Sequence, residues 1–172
     1  MPEVYQGNNA DGLGSMASLE YGGTKGAGMQ MVGMIFYRPK FFDIKELVDR
    51  ETFNRWGEKA WMFLRPEALN SLDMIRDHFE KPVWVNNWEI GGDFQWRGLR
   101  PAYSTVGNVH SQHRFGNGFD LDVQGVNPDE VRETILKHQD NIFTLITCLE
   151  TDITWVHFDC RNILDRIRLV KP

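Results

Sequence analysis

Two short stretches of this chain alternate in polarity with a period of two, FDLDV at 119–123 and ITWVHFD at 153–159. Successive side chains of a β-strand point to opposite faces, so each stretch fits a strand with one apolar face. In the first, Phe119, Leu121 and Val123 point toward a core while Asp120 and Asp122 point away. In the second, Thr154, Val156 and Phe158 oppose Trp155, His157 and Asp159. If the two strands are neighbours, Asp120 and His157 converge.

The rest of the chain supplies helices for such a sheet to pack against. Ala68, Leu72, Ile75 and Phe79 recur at intervals of four, three and four, with Pro66 where a first helical turn tolerates it. VNPDEVRETILKHQD starts a second helix with Asn127 as cap, Pro128 in the first turn and acids near the positive end of the dipole. FFDIKELVDRETFNRW is also helix-like, and KPVWVNNW at 81–88 suits a further strand. The expected class is α+β: a small antiparallel sheet with flanking helices and a basic tail. With 172 residues, 41% of them hydrophobic, the chain builds one core. Residues 1–33 hold eight of the sixteen glycines without any helical or strand period. We therefore expect an extended Gly-rich arm over 1–36 and one domain over 37–172.

Composition excludes several partners. The net charge is −5 and the pI about 5.5, with no Lys or Arg cluster to track a phosphate backbone, so nucleic acid is not expected. No apolar run approaches the roughly 20 residues of a membrane span, and the basic n-region of a secretory signal is missing. Cys148 and Cys160 lack CxxC spacing and read as core thiols.

The stretch SQHRFGNGFDLDV places His113 and Asp120 on either side of two glycines. A turn through Gly116 and Gly118 brings His113 back toward Asp120 and His157. Two imidazoles and one carboxylate leave an open position on a tetrahedral zinc ion, as in a catalytic site. The residues alone leave a second account standing, a polar loop running into a strand.

SQHRFGNGFDLD resembles the SxHxxGxAxD motif of the zinc D-Ala-D-Ala carboxypeptidase and L-alanyl-D-glutamate endopeptidase superfamily, whose fold is shared with the Hedgehog signalling domain. Ser111, His113, Gly116 and Asp120 match, and Gly118 stands where the family usually has Ala. WVHFD at 155–159 looks like the family's downstream ligand segment. KELV at 45–48, the helix at 66–79, PVWVNNW at 82–88 and RGLRP at 97–101 extend the similarity over roughly residues 40–160. The resemblance implies a Hedgehog/D,D-peptidase-like fold, zinc (Zn2+) as cofactor, and His113, Asp120 and His157 as its ligands. It makes Arg100 the first choice, and Arg97 the second, for an arginine that binds substrate and supports the oxyanion, with Ser111 and Asp122 orienting ligands. A guanidinium suits the first task because it stays charged and grips a carboxylate with two donors.

One position departs from the family. Many members carry Glu or Asp three residues before the last histidine, as the base for the attacking water, and here that residue is Thr154. A threonine hydroxyl is no base near pH 7. Asp152 and Asp159 are the expected substitutes. The expected activity is hydrolysis of an amide bond in the peptidoglycan stem peptide or cross-link, by a carboxypeptidase or an endolysin-type endopeptidase. Without an export signal, the expected setting is a bacteriophage protein, in the virion or in the host cytoplasm before release to the cell wall, with the arm as a contact for an assembly. The rival expectation is a non-catalytic zinc-binding structural or virion protein. His110 reads as an exposed loop histidine, His78 and His138 as helix C-terminal residues, and the tryptophans at 84, 88, 96 and 155 as core first and groove second.

Overall fold

The structure is a computed structural model that describes residues 37–163 and 166–172. The Gly-rich arm expected over 1–36 lies outside the described residues. Three helices form: α1 (Arg50–Trp56), α2 (Pro66–Phe79) and α3 (Pro128–Lys137). Asp49 caps α1, its carboxylate accepting from the amides of Glu51 and Thr52. Asn127 caps α3 by accepting from the amide of Asp129 at 2.8 Å. Helix α2 buries Ala68, Leu72 and Ile75, as its spacing predicts, adds Leu69, leaves Phe79 only partly buried, and ends at Glu80 in left-handed backbone. Its buried Asp73 takes the hydroxyl of Tyr37 at 2.7 Å and the amide of Lys40 at 2.8 Å, fastening the start of the described chain to the helix. The expected helix over 41–56 begins instead as a 3-10 turn at Ile44–Glu46, and α1 continues into 3-10 geometry at Gly57–Phe63.

Five short strands make one sheet: β1 (Val83–Trp84), β2 (Gly118–Val123), β3 (Cys148–Glu150), β4 (Val156–Asp159) and β5 (Arg168–Val170), in the order β1-β2-β4-β3-β5. Neighbours are antiparallel except β3 and β5, which run parallel, so the sheet is mixed and corrects the antiparallel expectation. The reason is where the chain re-enters. β4 ends opposite the start of β3, and the connection after it delivers β5 to the outer edge of β3 from that same end. The strand expected over 153–159 is confined to β4, its first residues forming a bend, and the basic tail contains β5.

Alternation sorts the two faces of the central pair. Phe119, Leu121, Val156 and Phe158 are fully buried and join Leu72, Ile75, Val131 and Ile135 in one apolar cluster with α2 and α3. Burying each such side chain contributes about 1.5–3 kcal/mol relative to exposure. The other face carries Asp120 and His157, which are also buried, beneath the segment that leads through Arg97 and Arg100 to His113. The amide of Asp120 donates to the carbonyl of Arg97 at 2.8 Å, so that segment continues the sheet edge beyond two-residue β1. Among the described residues no helix is long and apolar enough to cross a membrane.

Candidate metal centre

Strand register creates the first half of the centre. In the β2–β4 ladder Asp120 lies directly opposite His157, and cross-strand partners share a face. Their side chains meet, His157 Nδ1 and Asp120 Oδ1 standing 2.7 Å apart. His113 arrives from the 3-10 turn Gln112–Phe115, which ends at Gly116 with φ 63°. A Cβ there would sit 1.9 Å from the carbonyl oxygen of Phe63, so only glycine closes this turn against that backbone. His113 Nε2 reaches within 3.1 Å of His157 Nδ1 and 3.2 Å of Asp120 Oδ1.

Hydrogen bonds behind the imidazoles fix which nitrogens face inward. His113 Nδ1 lies 2.8 Å from the carbonyl of Gly98, which can only accept, so Nδ1 carries the proton and Nε2 presents its lone pair. Gly98 is itself pressed against Leu47, whose carbonyl would lie 2.0 Å from an added Cβ, and this packing holds the acceptor in place. Behind His157, Nε2 faces Asp159 Oδ2 at 3.4 Å, which turns Nδ1 to the centre. Asp159 is fully buried and gripped by Arg161, with Nε at 2.8 Å on one oxygen and a terminal nitrogen at 2.5 Å on the other. Outer carboxylates and carbonyls of this kind orient histidine ligands.

Three donor atoms thus lie within 4.8 Å of one another, and His113, Asp120 and His157 form a buried group that could hold a metal ion. The donor chemistry fits. The edge of a tetrahedron with bonds of ~2.0–2.1 Å is about 3.3 Å, a few tenths of an ångström longer than the separations here. Electrostatics point the same way. Burial works against the Asp120 carboxylate, yet its bonds to His113 and His157 outweigh that and hold it well below the usual carboxylate range. Burial lowers His113, with Asp120 only partly countering. Burial also disfavours charge on His157, but the hydrogen bonds to Asp120 and Asp159 prevail and raise it to about 9. One proton therefore sits among three inward-facing donors, where a cation would replace it.

The centre opens into a cavity of about 500 Å³ whose wall includes Arg100, His110, Ser111, Glu150, Trp155 and Arg161. Arg100 is mostly buried. One terminal nitrogen pairs with Asp120 Oδ2 at 2.6 Å, and Nε donates to the carbonyl of Trp96. The loop 101–108 on the far side is stapled by Arg114, which donates to the carbonyls of Pro101, Ser104 and Asn108.

The remaining sequence candidates are placed apart from this wall. Arg97 turns away, pairing with Asp122 at 2.5 Å over the ring of Phe94, so Asp122 supports Arg97 rather than a ligand. Asp152 lies apart from the centre. Its φ of 62° reverses the chain after β3, its side chain is 62% exposed, and its carboxylate pairs with Lys171 at 2.7 Å. Asp159 touches the centre only through His157, and its oxygens are taken up by Arg161. Sequence reasoning passed over Glu150, the one acidic side chain in the wall besides Asp120 among the described residues. No family model, curated protein or solved structure matches the chain.

Proposed function

We propose that the protein is a zinc-dependent peptidase of the Hedgehog/D,D-peptidase fold that hydrolyses an amide bond in the stem peptide or cross-link of bacterial peptidoglycan. The observation that carries this reading is the convergence of His113 Nε2, His157 Nδ1 and Asp120 Oδ1 on one point at the floor of an open cavity. Three protein donors leave room for water and substrate, the pattern of a catalytic rather than a closed structural zinc site. A zinc ion held there supplies a Lewis acid and brings the pKa of a bound water close to 7.

The chain's own groups supply the rest. Gly98 and Asp159 keep the imidazoles in the tautomers that donate inward. Arg100 retains its charge although burial lowers its pKa, with Asp120 opposing that drop. It stands beside the centre, where a guanidinium can take a substrate carboxylate or steady negative charge growing on the carbonyl oxygen. A bacteriophage setting, in which release to the wall follows lysis or injection, agrees with the stem-peptide substrate.

The deciding experiment is digestion of purified peptidoglycan by the zinc-loaded protein, with new termini identified by mass spectrometry. Expected are new amino and carboxyl ends, lost with chelator and lost in His113→Ala and His157→Ala. A second reading, a non-catalytic metal-binding structural protein, is favoured by Thr154, which is exposed and carries no acid. Stoichiometric zinc with no cleavage of any peptidoglycan type would establish that reading instead.

A further inference from the structure

Extending the sheet register by one step reveals a row that no single segment displays. Cys148 lies opposite Asp159 and Leu149 opposite Phe158 in the antiparallel β3–β4 ladder, so the next pair in register is Glu150 with His157. His157 in turn lies opposite Asp120 on β2. Asp120, His157 and Glu150 therefore form a transverse line across three adjacent strands, all on the polar face. Asp120 and Glu150 flank the histidine from opposite sides.

Glu150 is half-buried and lines the cavity, and its carboxylate makes no hydrogen bond or ion pair among the described residues. Its charge is felt by His157, Arg100 and Arg161, the groups that surround the opening. The other acids at or near the centre, and Thr154, are compromised. Asp152 faces solvent with Lys171, Asp159 is saturated by Arg161, Asp120 is committed to two imidazoles and Arg100, and Thr154 is an exposed hydroxyl.

We propose that Glu150 is the general base and acid of the reaction, a role that rests on the peptidase reading above. Its carboxylate takes one proton from the attacking water as the new C–O bond forms at the scissile carbonyl. It returns that proton to the leaving nitrogen as the C–N bond breaks, so that a carboxylic acid and an amine form, the acid's remaining proton passes to the amine to give carboxylate and ammonium, and Glu150 is ionised again. A carboxylate positioned on a strand is well suited to this, since β3 is paired on both sides, with β4 through Cys148 and Leu149 and with β5 through Glu150 itself.

The test compares zinc-loaded wild type with Glu150→Gln, Glu150→Asp and Asp152→Asn. Glu150→Gln keeps shape and hydrogen-bonding capacity but cannot accept the proton. It should keep one zinc with wild-type affinity while kcat falls by about 10²–10⁴-fold, the range for positioned acid–base catalysis, with KM little changed. Glu150→Asp should recover part of the rate, and Asp152→Asn should turn over like wild type. A readout without substrate comes from cobalt(II)-loaded protein. The visible spectrum should titrate with pH, and removing the negative charge of Glu150 should shift its midpoint downward by about one pH unit, because a nearby anion disfavours ionisation of water. Active wild type with equally active Glu150→Gln, or loss of zinc from Glu150→Gln, overturns this role alone. Zinc-loaded wild type that cleaves nothing overturns the peptidase reading and this role with it.

Discussion

Arg161 closes both oxygens of Asp159, and the consequence falls on the neighbouring imidazole. Asp159→Asn puts an amide where His157 Nε2–H needs a carboxylate, so the ring loses its fixed orientation. Zinc affinity should fall by about 10–100-fold, measurable by competition with a chromophoric chelator, and unchanged affinity would show that Asp159 serves packing only. The proton on His157 sets a second expectation. At pH 7 Asp120 is ionised and His113 neutral, while His157, raised to about 9, must give up its proton to a metal. Apparent affinity should therefore rise about tenfold per pH unit between pH 7 and 9 and then level off. Competition titrations at three pH values check this. The metal-free fold moves the other way. A folded pKa above the unfolded value contributes stability that is full below about 6.5 and is lost as pH rises through about 9. Asp120 and His157 were legible as a pair because both stretches alternate. Glu150 was not, because a three-residue strand shows no period and the histidine next in register, His157, is seven positions away in sequence. Asp152 drew attention by lying closer to His157 along the chain, and the left-handed turn there sends it outward.

At the scale of elements, the turn between β3 and β4 decides how steadily His157 is presented. Arg132 of α3 is buried and donates to the carbonyls of Trp155 at 2.7 Å and Ile153 at 3.1 Å, tying the helix to the residues that lead into β4. Arg132→Met retains the apolar stem but leaves these carbonyls without their donor. The cost should be about 2 kcal/mol, seen as a fall of roughly 4–8 °C in the thermal midpoint of a chain this size. A midpoint within a degree of wild type would mean water replaces the guanidinium. Helices α2 and α3 were legible because a first-turn proline and an apolar period coincide within one stretch, joined in α3 by the Asn127 cap. The run 89–111 shows no helical or strand period; what it builds depends on Arg114, which donates to three of its carbonyls, and on Gly98, whose carbonyl accepts from His113 Nδ1. Strands β3 and β5 were hidden by their length, and with them the parallel pair.

For the whole molecule, the relevant quantity is how far apart the donors are along the chain. His113 and His157 are 44 residues apart and Asp120 and His157 37, so an unfolded chain does not hold them together and a metal taken up by this group would favour the native state. Free zinc at a hundred times its Kd should stabilise the fold by about 2.7 kcal/mol, or roughly 5–10 °C in the thermal midpoint. Calorimetry with and without zinc checks this, and His113→Ala should remove the shift while still folding. An equal zinc response in that variant would place the metal elsewhere.

The flanking strands are two and three residues long, β1 ending at Trp84 and β5 carrying Arg168. An outer strand invites another chain to add itself only when its unpaired amides and carbonyls run on far enough to template a ladder. Neither rim offers that length. Sheet-to-sheet growth between copies through these two rims is thereby discouraged.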